Sequence, residues 1–71
     1  MIIVNSALMQ EEIIKLVEAL DEYHYQHEKT EGIRIYFKVD TDDLEAAAKV
    51  AKRAIKSSKF GSMLYLNVVP A

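Results

Sequence analysis

A chain of 71 residues with a net charge of -2, a pI near 5.6 and no cysteine excludes several classes at once. It is too short for a second domain and buries only about 60% of the surface its unfolded form exposes, so association is a natural way to add to its core. It has no disulfide framework and no thiolate metal site, and its acidic balance argues against a protein devoted to coating nucleic acid.

The composition, 51% hydrophobic and 28% charged, is that of an ordinary globular chain. The opening apolar run 1–4 lacks a basic flank and is too short for a signal peptide or a membrane span. Residues 1–71 therefore read as one small domain in a reducing, cytoplasmic setting. The charges are unevenly placed. All 11 acidic residues lie before position 49, beside only Lys15, Lys29, Arg34 and Lys38, whereas Lys49, Lys52, Arg53, Lys56 and Lys59 follow with no acid among them.

In chain order, 2–5 is short, apolar and β-branched, which predicts a strand. Asn5 or Ser6 then suits a helix N-cap. Met9, Ile13, Leu16, Val17, Leu20, Tyr23, His24 and His27 recur at steps of three and four. This spacing predicts a first helix reaching about position 27, with Glu11, Lys15, Glu18, Glu22 and Gln26 opposite. Segment 28–31 is polar and reads as a connection ended by Gly32.

Stretch 32–40 organises the rest. Ile33, Ile35, Phe37 and Val39 alternate with Arg34, Tyr36 and Lys38, which is the period of a half-buried strand. Thr41 or Asp42 then suits the start of a second helix, with Glu45 three residues beyond Asp42 in a box-like pattern. That helix runs to about position 58 with Leu44, Ala47, Ala48, Ala51, Ala54 and Ile55 inward. Gly61 suits the left-handed conformation after it. A last strand over 63–69 stops at Pro70 and, being nearly continuously apolar, is expected toward the sheet interior.

The expected fold is α/β (or α+β): a two-layer sandwich of order β-α-β-α-β, with a three-stranded sheet and both helices on one face. Each crossover is long enough to join parallel neighbours. The clean alternation of the middle strand conflicts with that picture, because parallel sheets are usually covered on both sides. An open face or an outside cover resolves the conflict.

On that open face the reading places Arg34, Tyr36, Lys38, Tyr65 and Asn67, with Ile3 and Met63 alongside. Self-association or a protein partner is the leading use of the surface. The alternative is single-stranded nucleic acid, with Tyr36 and Tyr65 stacking on bases and cations meeting phosphates. The stripe Lys49, Lys52, Arg53, Lys56 and Lys59 is either a second anion-binding feature or a solvated helix face with charges placed for the dipole.

His24 and His27, spaced i, i+3 beside Asp21 and Glu28, are the one candidate metal or acid-base cluster, since two imidazoles on adjacent helical turns can share a divalent ion; the alternative is imidazoles extending the apolar stripe. Asp40, Asp42 and Asp43 lack calcium-loop spacing and read as caps. No glycine-rich phosphate cradle, nucleophile elbow or serine-histidine-acid spacing is present. The sequence therefore assigns no catalytic residue, no cofactor and no metal ligand, and it expects no membrane partner.

Overall fold

A computed structural model describes residues 1–59, 61 and 66–71. The elements in order are β1 (Ile2–Asn5), α1 (Gln10–Glu18), β2 (Tyr25–Glu31), β3 (Arg34–Val39), α2 (Leu44–Ser57) and β4 (Asn67–Pro70). The sheet has four strands in the order β2-β3-β1-β4, and every neighbouring pair is antiparallel. The expected three strands and parallel neighbours are thus corrected. α1 does connect two parallel strands, β1 and β2, but β3 lies between them; α2 likewise connects β3 to β4 across β1. This interleaving is the β-α-β-β-α-β, or split β-α-β, topology. It also removes the conflict over the middle strand, since an antiparallel sheet readily leaves one face open to water.

The largest correction concerns 19–31. α1 ends at Glu18, and Tyr25–Glu31 is a strand paired with β3 along its length. Period 2 is present in Tyr25 and His27, but the helical spacing of Leu20, Tyr23, His24 and His27 overlies it, and four polar residues follow. Burial anchors such a strand at its Tyr25 end, and the rest of its length is held by ladder hydrogen bonds. Gly32, with φ of 59°, occupies the first central position of the two-residue β2-β3 hairpin loop, where glycine avoids the left-handed penalty. Ile33, expected inward, sits in that loop and is 53% exposed.

The termini of the helices also differ from expectation. Neither Asn5 nor Ser6 caps α1. Its N-cap is Met9, at φ 59° and without a side-chain cap. Ser6 is buried instead and stitches the β1-α1 loop: its N–H donates to the Ile33 carbonyl at 2.8 Å and its hydroxyl to the Leu8 carbonyl at 2.9 Å. Asp43, not Thr41 or Asp42, caps α2, accepting the Ala46 N–H at 3.2 Å. Gly61 does not have a positive φ; its role is close approach to the end of α2. β4 lies at the sheet edge rather than inside, where Pro70 costs no ladder bond, and β1 takes the interior position. Residues 63–65 of the expected last strand lie outside the described residues.

One core unites both layers. Ile2 and Val4 of β1, Tyr25 of β2, Ile35 and Phe37 of β3 and Val68 of β4 meet Ile13 and Val17 of α1 and Ala47, Ala48, Ala51 and Ile55 of α2. The alanines of α2 let strand side chains come close to its backbone: the Tyr25 hydroxyl donates to the Ala47 carbonyl at 2.7 Å. Burial, and secondarily the nearby Tyr23, Glu22 and Asp40, pushes the Tyr25 phenol up to about 12 from 10.0.

The neutral phenol is therefore favoured by folding, and its contribution is complete below pH 10 and lost as pH rises through about 12. Between those values stability should fall by about 2 kcal/mol from this group. Tyr25→Phe should cost about 1 kcal/mol at pH 7 through the lost hydrogen bond. Comparing urea midpoints of the two proteins from pH 8 to 12 checks both, because the parent's advantage should vanish above pH 10 and the order of the two midpoints should reverse toward pH 12.

Candidate interaction face

The register fixes which side chains share the side of the sheet away from the helices. Tyr36 lies opposite Ile3, and Ile3 opposite Val69, while Arg34 lies opposite Asn5 and Asn5 opposite Asn67. Since directly paired residues share a face, Arg34, Tyr36, Lys38 and Asn67 lie on one open surface with Ile3, Asn5 and Val69. Arg34, Lys38 and Asn67 are exposed; Ile3, Tyr36 and Val69 are half-buried. Tyr65 and Met63, the other residues placed there from sequence, lie outside the described residues.

Strand β2, absent from the sequence-based expectation, changes the chemistry of this face. A register shift between His27 and Lys29 marks a bulge in β2. A bulge sets two residues against one and re-aims their side chains. Here it turns both Glu28 and Lys29 to the open face: the Glu28 carboxylate meets Lys38 Nζ at 3.5 Å, and Lys29 Nζ lies 4.9 Å from the centroid of the Tyr36 ring. Lys29 also meets Glu31 at 3.4 Å. These ion pairs are exposed and contribute at most about 1 kcal/mol each. Their consequence is chemical. Both lysines of the face already have carboxylate partners, and one side of the Tyr36 ring is occupied by an ammonium group. The available signal was the pair of acids Glu28 and Glu31 beside Lys29, which only become neighbours of Tyr36 and Lys38 once 25–31 pairs with β3.

The other candidates separate. His24 precedes β2 and His27 lies within it, so three residues of nearly extended chain place them on opposite faces. The helix-face premise of a shared metal site is thereby corrected. The His24 N–H donates to the Asp40 carboxylate at 3.1 Å; the His27 ring bonds the Thr30 hydroxyl at 2.8 Å and meets Phe37 edge-on at 5.8 Å. Among the described residues no group of three histidines, cysteines or acids is placed to hold a metal ion.

Lys49, Lys52, Arg53 and Lys56 line the exposed side of α2, with Lys59 beyond its end. Of these, Arg53 approaches Glu22 at 3.9 Å. No helix among the described residues is long and apolar enough to cross a membrane. No family model, curated protein or solved structure matches this chain.

Proposed function

We propose that this chain is a non-enzymatic module that associates with a second copy of itself through the open face of its sheet. The observation that carries the reading is the pairing of the face's lysines by β2: with Lys38 held by Glu28 and Lys29 by Glu31, Arg34 at one end is left as the face's cation without an ion pair among the described residues, and the lysines around Ile3, Tyr36 and Val69 are neutralised. A face built for phosphates needs unpaired cations and free rings, and here Lys29 covers Tyr36. The apolar character continues at one end into a hollow of about 230 Å³ between Asn5, Ile33 and Asn67. A standard interface takes about 800 Å² from each partner, roughly a sixth of the 4570 Å² this chain exposes.

Light scattering on the purified chain should give about twice 8.1 kDa. Tyr36→Glu should weaken the dimer at least tenfold while leaving the circular dichroism unchanged, because Tyr36 is outside the core. A monomeric parent at high concentration sinks the reading. A shift with single-stranded oligonucleotides at low salt, lost in the same variant, would instead favour nucleic acid at this face.

A further inference from the structure

We infer that the groove between α2 and the outer edge of β4 docks an extended acidic peptide as an added strand. This surface is separate from the open face and does not depend on dimerisation. Among the described residues β4 is the outermost strand of the sheet, and the Ala71 N–H donates to the Met1 carbonyl at 2.9 Å. Antiparallel alternation then turns the backbone of Asn67 and Val69 toward β1 and that of Val68 and Pro70 outward. Val68 thus presents both an N–H and a carbonyl, and Pro70 a carbonyl alone, to a strand laid alongside. That is the hydrogen-bonding requirement of strand addition.

Charge selects the occupant. The groove, about 270 Å³, is floored by Ala48, Val68 and Pro70 and walled by Lys49 and Lys52, with Glu45 at one end. No ion pair among the described residues uses Lys49, Lys52, Lys56 or Lys59; Lys15 and Arg34 are likewise in none, but only α2 sets several such cations in a row along one groove. Along the α2 axis Lys49 and Lys52 are about 4.5 Å apart and Lys52 and Lys56 about 6 Å. Alternate side chains of a strand repeat at about 6.6 Å. Carboxylates at every second position therefore meet successive lysines, whose flexible stems absorb the mismatch. Glu45 repels an acid at its own end and so biases the acids toward Lys52.

A second copy fits less well. Nothing after Glu45 in the sequence is acidic, so a symmetric β4-β4 pairing would bring two sets of α2 lysines together. Nucleic acid could use the cations, but it cannot complete a backbone ladder.

The test is fluorescence anisotropy of the intact protein with a short labelled peptide alternating valine and glutamate. The comparisons are the same peptide N-methylated at alternate residues and a single-stranded oligonucleotide. Saturable binding of the parent peptide is expected, weakened at least tenfold by N-methylation and at least tenfold in the variant Lys49→Glu, Lys52→Glu. Equal binding of the methylated peptide, preference for the oligonucleotide, or no binding at low salt each overturns the proposal. The methylated probe acts on the unaltered protein, so its result stands whether or not the variant folds.

Discussion

Phe37→Ala should destabilise the chain by about 3–5 kcal/mol, the usual cost of emptying a buried phenylalanine site. Phe37 is fully inaccessible and, among the described residues, the largest of the fully buried side chains. It stands at the centre of the sheet, opposite Ile2 of β1 on one side and His27 of β2 on the other, so no flexible loop is positioned to collapse into the space. At 0.05–0.15 kcal/mol per residue a chain of this length holds roughly 4–10 kcal/mol in total. The variant should therefore be largely or partly unfolded at 25 °C, with a urea transition shifted to near zero denaturant or absent. Phe37→Leu, which keeps most of the volume, should cost less than about 1.5 kcal/mol. An alanine variant with a midpoint close to the parent's would mean that the core is centred elsewhere.

The second large effect is expected at Gly61, and comparison with Gly32 separates two reasons for glycine. A Cβ on Gly61 would lie 1.5 Å from the Ile55 carbonyl oxygen and 2.5 Å from its carbon. Those are helix backbone atoms, already engaged: the Ser58 hydroxyl donates to that same carbonyl and accepts the Gly61 N–H at 3.0 Å. Alanine at 61 can be fitted only by moving the end of α2, at a cost of about 3 kcal/mol, the upper part of the range for overpacking.

Gly32 has open space around it and a φ of 59°, so alanine there meets only the left-handed penalty of about 1–2 kcal/mol. Thermal melts of the two alanine variants should fall in that order. Equal shifts would remove the steric account of Gly61.

Legibility followed local periodicity. Arg34–Val39 and Leu44–Ser57 were readable because their side chains meet the core at the period of their own backbone: Ile35 and Phe37 are buried between Arg34, Tyr36 and Lys38, and Ala47, Ala48, Ala51 and Ile55 are buried at helical steps. Placing Arg34, Tyr36, Lys38 and Asn67 on a common surface needed only that alternation. Gly61 shows the opposite case: a glycine after a helix suggests a left-handed turn from sequence, and only the approach of Ile55 reveals a packing role.

By itself, then, the chain's pattern of apolar side chains determined the central strand, the second helix and which of their residues face the core. Tertiary structure alone decided that 25–31 is a strand, that the two crossovers interleave into an antiparallel sheet, and that Glu28 and Glu31 neutralise the lysines around Tyr36. The physical reason is that a polar edge strand is held by backbone hydrogen bonds to β3, and main-chain pairing leaves no signature in the side chains of either partner.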